Sequence, residues 1–99
     1  MSKYRAVKTA GYASKREKRR AEDLMLMQKL GLISELEFQV KYELIPKQEG
    51  ERAVTYTCDA RYRENGMLVC EDTKGVRTQQ FIIRRKLMLW VHGIRIREV

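Results

Sequence analysis

The chain has 99 residues, enough for one small domain with a modest core and too few for a deep enclosed cleft. Lysine and arginine number 21 against 13 aspartate and glutamate, a formal net charge of +8 that favours a polyanionic partner, nucleic acid ahead of an anionic membrane surface. No apolar stretch approaches membrane-spanning length, and Met1 to Arg5 lacks the apolar core of a signal peptide, so no membrane partner and a cytoplasmic location are expected.

Residues 1–13 carry Lys3, Arg5 and Lys8 with little apolar periodicity and read as a basic arm ahead of a single domain over 14–99. Ser14-Lys15-Arg16-Glu17 matches the S-x-x-E capping box. A helix is expected from about Lys15 to Leu30, with Ala21, Leu24, Met27 and Leu30 on its buried side and Gly31 just past its end. Lys15, Arg16, Lys18, Arg19 and Arg20 crowd its first half; the run reads either as a solvated face or as a phosphate-contacting one.

Leu36, Phe38, Val40, Tyr42 and Leu44 alternate with polar residues and predict a strand with one buried face. Pro46 to Arg52 is a polar loop. The next strand alternates Val54, Tyr56, Cys58, Ala60 and Tyr62 with Thr55, Thr57, Asp59, Arg61 and Arg63, which puts Asp59 on the polar side. Asn65-Gly66 then gives the strongest short hairpin signal, because both residues tolerate the positive φ of a type I′ turn. A two-residue loop pairs Glu64 with Met67, Arg61 with Cys70 and Asp59 with Asp72. A longer loop would shift this register and separate the acids. Lys74 follows two positions on, on the same face as Asp72.

Thr78 predicts the cap of a second helix over Gln79–Val91, with Ile83, Leu87, Trp90 and Val91 as its buried stripe and Arg84, Arg85 and Lys86 opposite. His92 ends this helix, Gly93 closes it, and Ile94–Val99 reads as a last strand. The order is αβββαβ, in which the final β-α-β unit permits a parallel pairing. The expected fold is α/β in the α+β sense, a mixed four-stranded sheet flanked by helices. Cys58 and Cys70 fall on opposite faces in this register, so a disulfide is not expected, and with a single His they lack the spacing of a zinc site.

Like charges directly opposite in a sheet repel. Asp59 facing Asp72 therefore calls for a bound cation, a shared proton or nearby basic groups. Two carboxylates and an ammonium on one patch suit a Mg²⁺- or Mn²⁺-dependent phosphodiester hydrolase; a plain hairpin with incidental surface charges is the alternative. Glu71 points away from Asp72, beside Ala60, and reads as structural. Gln79 and Gln80 are able to contact a substrate phosphate or a metal-bound water, but read as helix-start surface residues. Tyr4, Tyr12 and Trp90 are aromatic groups able to stack on bases, but the place of Trp90 in the helix stripe assigns it to the core.

The element order, with acids on the second and third strands, resembles the restriction-endonuclease-like core of the PD-(D/E)xK nuclease superfamily, whose pattern stands here as Asp59 and Asp72-Thr73-Lys74. Closer still, the chain is similar to a small phage-encoded family of uncharacterised function placed in that superfamily. The shared features are the basic N-terminus, Ser14-Lys15-Arg16-Glu17, Asp59, Glu71-Asp72-Thr73-Lys74-Gly75 and Arg84-Arg85-Lys86. No proline precedes Asp59; Cys58 stands there. The resemblance implies that Asp59 and Asp72 hold one or two Mg²⁺ ions, with the Thr73 carbonyl as a further ligand and Lys74 orienting the attacking water. It makes Glu17 a second candidate for the metal, against its capping role. Lys15, Arg16, Lys18, Arg19, Arg61, Arg63 and Lys86 are the candidate DNA contacts. The expected function is a DNA endonuclease of phage type, in recombination or DNA processing and, if so, in the host cytoplasm. The absence of a sequence-reading element leans toward branched DNA such as a Holliday junction, whose two-fold symmetry suits a homodimer. The rivals are a non-catalytic nucleic-acid-binding protein and a phage structural or regulatory protein that pairs through its sheet edge.

Overall fold

A computed structural model of the chain describes residues 14–74 and 76–99; the basic arm expected over 1–13, with Tyr4 and Tyr12, and Gly75 lie outside the described residues. The elements follow the expected order: α1 (Lys15–Lys29), β1 (Ser34–Ile45), β2 (Val54–Glu64), β3 (Met67–Asp72), α2 (Gln79–His92) and β4 (Arg97–Glu98). Local chemistry sets their ends. Ser14 Oγ accepts from the Glu17 amide at 3.1 Å, and α1 stops where Gly31 takes φ 81°, with the Leu32 amide returning to the Met27 carbonyl. Thr78 caps α2 in the same way, and Gly93 ends it at φ 70°.

The strands lie in the order β1-β2-β3-β4. The first three are antiparallel neighbours, and β4 adds parallel to β3 after the α2 crossover. Asn65 and Gly66, at φ 54° and 78°, form the tight turn, and the hairpin pairs Glu64 with Met67, Arg61 with Cys70 and Ala60 with Glu71, the register expected from the two-residue loop.

One helix packs on each face, and here the simple alternation fails. Leu36 and Phe38 of β1 and Ala60 and Tyr62 of β2 pack with Leu24 of α1; Val40, Tyr42 and Leu44 of β1 and Tyr56 and Cys58 of β2 pack with Phe81 and Met88 of α2. Successive alternate residues thus change faces, although the β1–β2 register runs on unbroken from Val40↔Cys58 to Phe38↔Ala60. The change falls at Gln39 and Asp59. Gln39 has φ 54°, a left-handed conformation that costs a residue with a Cβ about 1–2 kcal/mol and breaks the pleat. The expectations of one buried face on each strand, and of Asp59 on a purely polar side, are corrected accordingly. The same inversion corrects the cysteines. Cys58 and Cys70 are free thiols buried in one cluster, not on opposite faces.

The helix stripes also need revision. Ala21 and Leu24 of α1 are buried, but Leu30 is 65 % exposed. In α2 the buried residues are Phe81 and Met88, while Ile83, Val91 and Trp90 face solvent, Trp90 at 86 % exposure. The cause is that α2 is apolar on most of its circumference, so periodicity could not choose a face. Its orientation is fixed instead by polar anchors: Arg84 Nε donates to the Thr55 carbonyl at 2.9 Å, Arg85 pairs with Glu98, and the His92 ring packs on Tyr42. Among the described residues, no helix is long and apolar enough to cross a membrane.

Candidate active site where two strands part

The hairpin ladder stops at Ala60↔Glu71. Beyond it β3 turns its backbone to the C-terminus, with the Val99 amide donating to the Asp72 carbonyl at 3.0 Å and the Lys74 amide to the Val99 carbonyl at 3.4 Å. Asp59 stands in the opening this leaves in β2. Its Oδ2 accepts from the Thr73 amide at 2.7 Å, so a side chain continues the contact that the backbone gives up.

Asp72 is nearly enclosed, at 3 % exposure. Its Oδ2 accepts from the Tyr56 hydroxyl at 2.5 Å and lies 3.5 Å from Lys74 Nζ. Asp59 lines the same groove, close enough to bear on the titration of Asp72, although the backbone ladder ends one pair short of them. Burial first, and then Asp59, push Asp72 up to about 7, while Tyr56 and the charge of Lys74 pull the other way. Asp72 therefore keeps its proton to near neutral pH. Burial and the same carboxylate push the Tyr56 phenol far above its usual range, which keeps it a donor. Lys74 is held from its other side by the Phe81 ring, with Nζ 4.6 Å from the centroid.

Asp59, Asp72 and Lys74 line an open groove of about 270 Å³ on the α2 side, completed by Thr55, Gln80 and Arg84 among others. On the α1 side Asp59 also borders a small cavity of about 10 Å³ with Glu17 and Thr73. That space is of the order of one water. The Thr73 hydroxyl is buried there with no partner among the described residues. Glu17 sits between the cap of α1 and the acidic site. Its amide is capped by Ser14, whereas its carboxylate accepts from Gln39 Nε2 at 3.1 Å and lines the cavity beside Asp59. The hydrogen bond ties the pivot residue of β1 to the acidic site.

A hard divalent cation fits this donor set. The oxygens of Asp59 and Asp72 and the unpartnered Thr73 hydroxyl are the ligand type that Mg²⁺ prefers while it keeps several waters. The set is sparse: among the described residues, no three His, Cys, Asp or Glu side chains gather as a metal cluster.

Glu71 is fully buried on the opposite face. Arg20 holds it in a two-point bond at 2.9 Å and 2.9 Å, and Tyr62 donates to it at 2.6 Å. Its bonds are satisfied, so it is a structural group, and Arg20 is withdrawn from the basic face. Of the candidate DNA contacts, the side chains of Lys15, Lys18 and Arg19 form no hydrogen bond or ion pair among the described residues, with Lys15 and Arg19 exposed. Arg16 donates to the Lys74 and Val99 carbonyls at 3.2 Å each, strapping α1 to the rim of the site. Arg61 is engaged by the Tyr42 hydroxyl and Glu37, and Arg63 by the Gly66 carbonyl and Glu35. Lys86 lines a separate groove beside Arg85 and Arg95, not the acidic one. Tyr56 was not picked out by sequence, Arg84 stood out only as part of the basic run at 84–86, and Gln80 was set aside. A buried tyrosine needs a partner for its hydroxyl, which was the one available signal for Tyr56.

Residues 1–95 match the model of one family, described as a protein of unknown function (DUF1064). Neither the curated proteins nor the solved structures returned a match.

Proposed function

The chain belongs to the DUF1064 family, and we propose that it is a metal-dependent DNA endonuclease of the PD-(D/E)xK type, phage-derived and acting on branched DNA as a homodimer. The observation that carries this reading is the placing of Asp59 and the enclosed Asp72 beside Lys74 in one open groove, on a protein of net charge +8. An apposed, enclosed acid pair is costly to keep for stability alone, and a bound cation removes that cost. Such an ion supplies charge for the scissile phosphate and a more acidic water.

The chain's own groups have distinct tasks. Asp59 and Asp72 would hold the ion, and Tyr56 fixes the Asp72 carboxylate by donating to one of its oxygens. Lys74, held by Phe81, orients the nucleophilic water or neutralises charge as it develops. Arg84 and Gln80, on the groove wall, are placed to meet substrate phosphate. The Thr73 carbonyl and Glu17 are the remaining candidate ligands.

A non-catalytic DNA-binding protein is the competing reading, favoured by the sparse donor set. The discriminating experiment incubates purified protein and Mg²⁺ or Mn²⁺ with supercoiled plasmid and with linear, flap, splayed and four-way-junction DNA. Nicking that vanishes in EDTA and in Asp72→Asn supports the nuclease. Salt-sensitive binding without cleavage of any substrate supports the rival.

A further inference from the structure

The outer surface of α2 is unlike the rest of the helix. Trp90 is 86 % exposed and Ile83 is 55 % exposed. Lys86 stands between them at helical spacing, exposed and without a partner among the described residues. Lys86 and Leu89 open onto a groove of about 460 Å³ whose opposite wall carries Arg95 and Ile96. The helix has no aspartate or glutamate, and Glu98 in this groove is already bound by Arg77 and Arg85.

We propose that this surface is a stacking platform for an unpaired nucleobase, with the Trp90 indole taking the base and Lys86 and Arg95 the flanking phosphates. An open aromatic face bordered by uncommitted cations is the arrangement that single-stranded nucleic acid uses, because every base has a π-face and every linkage a charge. The same features disfavour the other occupants. A second copy docked on this face about a two-fold axis brings Lys86 against a surface whose one acid among the described residues, Glu98, is already bound. A lipid surface wants cations along the flanks of an apolar stripe, and Lys86 sits in the middle of one. The proposal rests on DNA as the partner and gives the nuclease reading its substrate class, DNA with an unpaired segment. It does not depend on metal or cleavage.

Trp90 is the only tryptophan, so its emission reports on this surface alone. The test titrates full-length protein in EDTA with oligo-dT and with a duplex of equal length, and measures labelled-oligonucleotide anisotropy for wild type, Trp90→Ala and Trp90→Phe. Vesicles of anionic phospholipid and sedimentation of the free protein complete it. The expected result is quenching by oligo-dT, an affinity loss of roughly 5- to 100-fold in Trp90→Ala, substantial retention in Trp90→Phe, and duplex binding changed by no more than about two-fold. Emission indifferent to oligo-dT overturns the proposal, as does equal affinity of wild type and Trp90→Ala. A dimer that shields Trp90 from acrylamide, or a blue shift on vesicles without a response to oligo-dT, also overturns it. A protein that never cuts but shows the quenching refutes the nuclease and leaves this surface assigned.

Discussion

Replacing Asp72 by asparagine isolates the energetic cost of the acid pair. In the folded apo protein Asp72 lies at about 7, against an ordinary 3.8. A displacement of about 3 pH units at about 1.4 kcal/mol each makes ionising this carboxyl cost on the order of 4 kcal/mol relative to the unfolded chain. The raised value means that the native state holds a proton which the unfolded chain has lost between roughly pH 4 and pH 7. Apo stability therefore falls as pH rises through that window and levels off above it. Asparagine cannot ionise, yet it still offers Tyr56 an acceptor oxygen. Forgoing the ion pair with Lys74 costs no more than about 1 kcal/mol, because Lys74 is partly solvated. Asp72→Asn should thus match wild type near pH 4 and exceed it by about 2–4 kcal/mol at pH 8. For a domain of this size that is a rise in Tm of about 10 °C or more. Denaturation in EDTA at pH 4, 6 and 8 measures it. Millimolar Mg²⁺ or Mn²⁺ should then stabilise wild type at pH 8 and leave the variant unmoved, since only the acid pair binds the ion. Parallel stability profiles for the two proteins across this range would show that the fold does not hold Asp72 protonated.

Asp59→Asn and Lys74→Ala should each abolish or strongly reduce metal-dependent nicking while gel-shift affinity for DNA stays within a few-fold. Reversing the charge of Lys15, Lys18 and Arg19 together should do the opposite, weakening binding and flattening its dependence on salt, because each phosphate left unneutralised takes close to one unit from the slope. Arg20→Ala strands the Glu71 carboxylate in the core and should cost about 3 kcal/mol or more in a urea melt, with Glu71→Gln in the same background recovering part of it.

The parts of the fold legible in the sequence are those set by short-range chemistry. Ser14, Gly31, Thr78 and Gly93 mark the helix ends because each answers a local backbone demand, and Asn65-Gly66 fixes the register because only a few residues accept its dihedrals. From that register came the apposition of Asp59 and Asp72, the one site-level result that needed no tertiary information. Which way α2 turns was not legible. Phe81, Ile83, Met88 and Trp90 are all apolar, and the choice among them was made by Arg84, Arg85 and His92 bonding to other elements.

Tyr56 was invisible for a further reason. Strict alternation sends Tyr56 and Asp72 to opposite faces of the sheet, and only the inversion at Asp59 brings the phenol to the carboxylate. A residue with a Cβ at φ 54° gives no composition signal, so Gln39, opposite that inversion, could not announce it. The break and the candidate site coincide for a physical reason. Where β2 changes faces its ladder to β3 ends, and the freed Thr73 amide needs an acceptor, which Asp59 supplies. The same inversion lets Asp59 border both the α2 groove and the α1 cavity, within reach of Asp72 on one side and Glu17 on the other. An unbroken pleat would confine Asp59 to a single face and leave Asp72 without its phenol. The strain carried by Gln39, anchored to Glu17 by a hydrogen bond, is in this sense part of what assembles the acids.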